Sequence, residues 1–188
     1  MLIIEGADLT GKTTLAHNLL KHRPLNDRGY VYKHFTRLPG GFHRYWGYVD
    51  NATQRSVQDR FHMSEVIYSE ARGDKDKYLT PEMYRLVEAH LALLGSYTVV
   101  MTADESLIRE RWREGEMYDI DLVLRVNQMY LHTNLPFDYH FHAHEDRPYM
   151  DDVIQRQVLD MYFERQTTLE RMLIDAPPGK ARGLHLVG

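Results

Sequence analysis

The sequence contains no cysteine. That absence removes disulfides, thiolate nucleophiles and cysteine-based zinc sites, and it fits a reducing compartment. Long apolar runs are missing as well: no segment approaches the roughly twenty residues that a membrane-spanning helix needs. A basic excess is also lacking, since 23 Lys and Arg stand against 27 Asp and Glu, mixed along the chain, for a formal charge of −4. Proteins that hold long nucleic acid present a broad basic face, because phosphate neutralisation carries most of that affinity. Because the chain opens directly on an apolar strand, the expectation is a cytoplasmic protein with neither a membrane nor a nucleic acid as partner. At 188 residues it suits one domain, residues 1–188, with a core that needs no staple.

What is present is concentrated at the amino terminus. Gly6, Ala7, Asp8, Leu9, Thr10, Gly11, Lys12 and Thr13 fit G-x-x-x-x-G-K-[ST] at every fixed position, and Thr14 follows. Residues 2–4 are a short apolar run expected of a buried strand, and Leu15, Leu19 and Leu20 put an apolar stripe on a helix after the loop. Glycines let a backbone wrap a phosphate, the helix start supplies free N–H groups, and Lys12 adds a cation. Thr13 is the expected hydroxyl ligand of Mg²⁺. The implied donor is ATP with Mg²⁺. A guanine-binding switch would carry Asn-Lys-x-Asp, which occurs nowhere in the chain.

Further along, strands alternate with helices. Strands are expected at 30–36, 55–60, 97–101 and 137–144, the last as a core strand, with a further edge strand at 184–187. Helices are expected at 12–22, 64–71, 80–95, 104–112, 121–132 and 150–174, with Thr80 as N-cap and Pro81 at the first helical position. Residues 23–29 read as a loop, and 42–50 are aromatic-rich and fit either state. Alternation without an internal repeat predicts an α/β fold: a doubly wound, five-stranded parallel sheet with helices on both faces. Such sheets bind ligands at the carboxyl ends of their strands, where Arg37, Asp59 and Arg60 would join the glycine loop.

Several blocks together resemble the thymidylate kinase family of P-loop nucleotide kinases. Glu5 to Thr13 is similar to that family's glycine loop, and Phe35-Thr36-Arg37-Leu38-Pro39-Gly40-Gly41 to its T-R-E-P-G-G turn. Asp59-Arg60-Phe61 resembles its D-R-Y, with Ser64 and Tyr68 on the helix that follows. Arg109, Arg111 and Arg113 fall where its arginine-rich lid begins, here about 109–120, and Arg125-Val126 with Tyr130-Leu131 on the helix after it. The resemblance implies Asp8 near the acceptor's sugar, Arg37 and Arg60 on its phosphate, Asp59 close to Mg²⁺, Tyr68 beside the deoxyribose, and a homodimer. The chain departs at Leu38, where the family has Glu, and at Ser69, where it has Gln. Its stretch from Gly41 to Asp59 is also short, and lacks the helix that reads thymine.

The activity implied is ATP-dependent phosphorylation of a deoxynucleoside monophosphate, a dTMP-like pyrimidine being favoured. The catalytic set is then Lys12, Asp59, Arg60, Arg109, Arg111 and Arg113, with Asp8, Arg37, Arg60, Ser64 and Tyr68 on the acceptor. The alternative is a deoxynucleoside kinase, in which Asp59 or Glu5 would take the 5′-hydroxyl proton. His140, His142 and His144 alternate along one strand and share a face. A single flat strand rarely converges ligands on a metal, so a polar face near the cleft or the surface is expected there.

Overall fold

The computed structural model describes residues 1–35, 43–74 and 79–174. Arg37 and the 184–187 segment lie outside them. The elements run β1 (Leu2–Gly6), α1 (Lys12–Lys21), α2 (Arg23–Asn26), β2 (Val31–His34), α3 (His43–Asn51), β3 (Ser56–Asp59), α4 (His62–Arg72) and α5 (Pro81–Leu93). They continue with β4 (Tyr97–Ala103), α6 (Glu105–Arg111), α7 (Ile120–Leu131), β5 (Tyr139–Ala143) and α8 (Asp152–Ile174).

The sheet is wholly parallel, in the order β2-β3-β1-β4-β5. β1 lies at its centre, and every residue of β1, β3 and β4 is buried. That is the pattern of strands covered on both faces. Leu2 and Ile4 join the larger core with Leu15 and Leu19 of α1, Ile67 of α4 and Val126 of α7. Met1 and Ile3 point the other way, onto Tyr48 of α3, Phe61, and Val87 and Leu91 of α5. The period-two alternation of a strand makes this division.

Two expectations are corrected and one open reading is resolved. Residues 23–26 form the short helix α2, with Pro24 in its first turn where the missing N–H costs nothing. Residues 43–51 resolve as helix. Among the described residues the last strand is an edge, not a core strand: only Phe141 and Ala143 of β5 are buried, and no described strand pairs with its outer side. Thr80 caps α5 as expected, accepting the Met83 N–H at 3.2 Å. Among the described residues no helix is long and apolar enough to cross a membrane.

Candidate active site

The carboxyl ends of β1, β3 and β4 meet at one rim, and β1 delivers the glycine loop to it. Gly6 has φ 142°, and a Cβ there would lie 2.1 Å from the Met101 carbonyl oxygen, so only glycine lets the loop leave β1 this close to β4. Thr10 Oγ1 donates to Ala7 O at 2.9 Å, and Lys12 Nζ donates to the same carbonyl. Lys12 is buried, and burial pulls its pKa from 10.5 down to about 8, with the Arg60 charge adding to the effect. Thr13 and Thr14 stand exposed at the start of α1.

Asp59 ends β3 beside this loop. Its Oδ2 accepts from Thr13 Oγ1 at 2.5 Å and from Tyr32 Oη at 3.0 Å, and His34 Nδ1 lies 3.5 Å away. Its Oδ1 is buried and has no hydrogen-bond partner among the described residues. A carboxylate oxygen buried in this way has lost water without compensation. Mg²⁺ prefers hard oxygen donors, so Thr13 Oγ1 and Asp59 fit the ion.

Arg60 continues the strand, its N–H reaching Ile4 O at 2.8 Å, but its backbone is left-handed at φ 68°. That turn aims the guanidinium back at the glycine loop, where it ion-pairs with Asp8 and lies 4.8 Å from the Tyr68 ring centroid. Tyr68 Oη donates to Asp8 Oδ2 at 2.8 Å. Burial alone would raise the Asp8 pKa, but Lys12, Arg60 and the Tyr68 hydroxyl outweigh it and hold the carboxyl below its usual value. Arg60 is thus tied to Asp8 rather than to its neighbour Asp59.

Glu5 is committed elsewhere. It is fully buried and accepts the N–H groups of Phe61, Met63 and Ser64 at 2.9, 3.1 and 3.3 Å, together with the hydroxyls of Ser64 and, at 3.0 Å, Tyr130. A carboxylate at the start of α4 satisfies the helix's free donors and opposes its dipole. Ser64's hydroxyl is consequently turned inward, to Glu5 and Tyr130.

Two adjoining cavities open over Arg60. One, of about 340 Å³, is lined by Phe61, Ser64, Glu65, Tyr68, Arg72 and Tyr118; the other, of about 150 Å³, by Asp8, Leu9, Trp112 and Val123. His34, Arg60, Met117 and Tyr118 border both. The size and the mixture of aromatic walls with a few charges are those of a small-molecule site.

No family model matches the chain, and no curated protein matches it. Among solved structures, the chain is similar to the YorR protein from Bacillus subtilis in complex with phosphorylated GDP. The TM-score is 0.67 at 22% identity, over 88% of this chain and 97% of that one. The deoxyadenosine kinase from M. mycoides with bound dATP gives 0.47 at 12% identity, over 87% and 98%. The chain shares the α/β fold of the YorR structure, here a five-stranded parallel sheet with helices on both faces.

Of the three arginines around α6, one reaches the glycine loop. Arg111 donates to Leu9 O and to Pro148 O, both at 2.9 Å, and lies 5.1 Å from the Tyr149 ring centroid. Arg109 is exposed and pairs with Glu105 one turn back, while Arg113 is exposed and folds onto the carbonyls of Glu110 and Trp112. The structure therefore gathers Gly6 to Thr14, Asp59, Arg60, Ser64, Tyr68 and Arg111, and leaves Arg109 and Arg113 outside. Sequence reasoning missed Tyr32, His34, Arg72 and Tyr118. Tyr32 and His34 were visible only as members of a strand; their proximity to Asp59 follows from the β2–β3 register, which pairs His34 with Asp59.

Proposed function

We propose that the protein transfers the terminal phosphoryl group of ATP to a deoxynucleoside monophosphate. The observation that carries this reading is the division of labour between Glu5 and Arg60. Glu5, one of two carboxylates that could take a proton from a free 5′-hydroxyl, is spent on five hydrogen bonds inside the fold. Arg60, a permanent cation, borders both cavities. A monophosphate oxygen is already nucleophilic at neutral pH, so the site needs positive charge more than a base.

In this reading an acceptor phosphate oxygen attacks the γ-phosphorus of ATP, the bond to the β–γ bridging oxygen breaks, and ADP leaves. Lys12 exchanges the Ala7 carbonyl for the phosphates of ATP. Thr13 and Asp59 would hold Mg²⁺, which when bound supplies positive charge to the outer phosphates. Arg60 exchanges Asp8 for the acceptor phosphate, freeing Asp8 and Tyr68 to meet the sugar hydroxyl. Arg111 closes over ATP from α6, with Arg109 and Arg113 following when the lid moves; Arg37 adds to the acceptor phosphate site. The smaller bases suit a cavity of about 340 Å³ walled by Phe61, Tyr68 and Tyr118, which favours a pyrimidine. The same reading makes the protein a cytoplasmic homodimer acting on small nucleotides rather than on nucleic acid.

The rival is phosphorylation of a free deoxynucleoside, and the unpartnered Asp59 Oδ1 favours it as a proton acceptor. ADP release with ATP, measured across nucleosides and their monophosphates, separates the two. Guanine nucleotides belong in the panel because YorR is described with phosphorylated GDP. Turnover confined to monophosphates is expected; turnover confined to free nucleosides would overturn the assignment.

A further inference from the structure

His140 and His142 of β5, and His144 just after it, do not stand alone. Asp104 follows β4 directly, and the β4–β5 register, which pairs Ala103 with Ala143, sets that carboxylate beside the end of β5. Asp104 Oδ1 lies 3.0 Å from His142 Nε2, and Oδ2 lies 3.1 Å from His144 Nδ1. One ligand atom from each of Asp104, His142 and His144 falls within 4.8 Å of the other two. The convergence that a single strand cannot give is supplied by its neighbour.

We propose that Asp104, His142 and His144 form a divalent transition-metal site, taking an ion of the zinc, cobalt or nickel class. Two imidazoles and one carboxylate suit such ions and not Mg²⁺, which prefers oxygen donors alone. The site is separate from the Thr13 and Asp59 pair and does not depend on which nucleotide the cleft accepts.

A second, independent feature supports it. Metal-bound histidines hand their other ring N–H to a neighbouring acceptor, which fixes the tautomer and the ring. His142 Nδ1 lies 2.7 Å from Thr102 Oγ1, and Thr102 is fully buried with its hydroxyl also 2.8 Å from His140 Nε2. His142 can donate Nε2–H to Asp104; in its other tautomer Nδ1–H donates to Thr102, whose own O–H passes to His140, and the Nε2 lone pair faces a carboxylate oxygen. A cation between them resolves that opposition.

Tetrahedral ligands about 2.0–2.1 Å from an ion are roughly 3.4 Å apart. Each imidazole is already that close to one Asp104 oxygen, and the three ligand atoms, within 4.8 Å of one another, need only draw together. The His144 side chain, 55% exposed, is free to turn inward and leaves a fourth position to water.

An ion there would staple Asp104, which begins α6, to His144, which begins the turn leading to Pro148. His144 and Arg147 exchange backbone hydrogen bonds at 3.2 and 3.0 Å across that turn. These two segments are the ones that hold Arg111 against the glycine loop.

Calorimetric titration of the untagged protein with Zn²⁺, and with Co²⁺ followed by visible absorption, tests the site. The expected result is one ion per chain, with intense low-symmetry Co²⁺ bands. Asp104→Asn and His142→Ala should each weaken it at least tenfold, and Thr102→Val should weaken it roughly ten- to hundredfold while the fold persists. Each variant's thermal midpoint without metal reports folding separately. Equal Zn²⁺ affinity in the wild type and the Asp104→Asn, His142→Ala double variant, or weak octahedral Co²⁺ bands, would overturn the assignment and leave only a hydrogen-bonded cluster.

Discussion

Lys12 should make ATP binding depend on pH in a direction opposite to its effect on stability. In the free protein its pKa is lowered from 10.5 to about 8 by burial and by Arg60, against the pull of Asp8, Asp59 and Glu5. Holding that ammonium inside the fold costs on the order of 3 kcal/mol, at about 1.4 kcal/mol per pH unit. The unfolded chain keeps the proton up to pH 10.5 and the folded one only to about 8. Lys12 therefore destabilises the free protein fully below pH 8, and the penalty fades as the pH climbs to 10.5. A bound phosphate restores the cation, so nucleotide binding takes up about a quarter of a proton at pH 7.5 and about nine-tenths at pH 9. ATP affinity should fall by roughly tenfold per unit above pH 8. Calorimetry in two buffers of different ionisation heat reads the proton uptake directly. Lys12→Met should bind weakly and with no such slope. An affinity that stays level to pH 9.5, or the same slope in Lys12→Met, would refute the reasoning.

Other substitutions separate the parts of the site. Gly6→Ala would drive a Cβ to 2.1 Å from the Met101 carbonyl oxygen, and urea unfolding should show a loss of at least ~3 kcal/mol together with lost nucleotide binding. Arg60→Lys should raise the acceptor KM roughly ten- to hundredfold by removing bidentate recognition, with little change in ATP affinity. Arg111→Ala should lower kcat by roughly tenfold or more while Tm moves little; unchanged turnover would remove α6 from the mechanism. Glu5→Gln should cost ~2–3 kcal/mol in urea unfolding and leave the shape of the pH–rate profile intact, whereas a lost basic limb would make Glu5 the base after all.

The parts of this fold that were legible in sequence are those set by local pattern. The strand, glycine loop and helix of residues 2–20 follow from an apolar run, fixed spacing and a leucine stripe, and the sheet class follows from alternation. Partner choice was not legible. Whether Arg60 would pair with Asp59 or Asp8 depends on one backbone angle, and whether Glu5 would face a substrate or cap α4 depends on how closely α4 starts to β1. The arginines of α6 showed the same limit. Arg109, expected in the catalytic set, pairs with Glu105 four residues earlier on an exposed face. Nothing local distinguished Arg111, whose partners Leu9 and Pro148 lie 102 and 37 residues away. Asp104 went unconnected to the histidines for the same reason, since the β4–β5 register joins them.

Backbone strain locates the site independently of any motif. Among the described residues, Leu9 and Arg60 are the non-glycine residues with positive φ, at 66° and 68°. Each such conformation costs about 1–3 kcal/mol and persists only where its surroundings enforce it. Both flank the same carboxylate: Leu9 follows Asp8 in the loop, and Arg60 grips Asp8 from β3. The enforcing contacts can be named. Arg60's N–H is held by Ile4, and the three residues Phe61, Met63 and Ser64 are held by the Glu5 carboxylate, so the left-handed turn is clamped on both sides. Leu9's carbonyl is held by Arg111. Glu5 therefore fixes the turn that aims the Arg60 guanidinium at Asp8. Glu5→Ala should therefore loosen the Arg60 turn as well as destabilise the fold, and an Arg60–Asp8 pair left intact in that variant's structure would sink the idea.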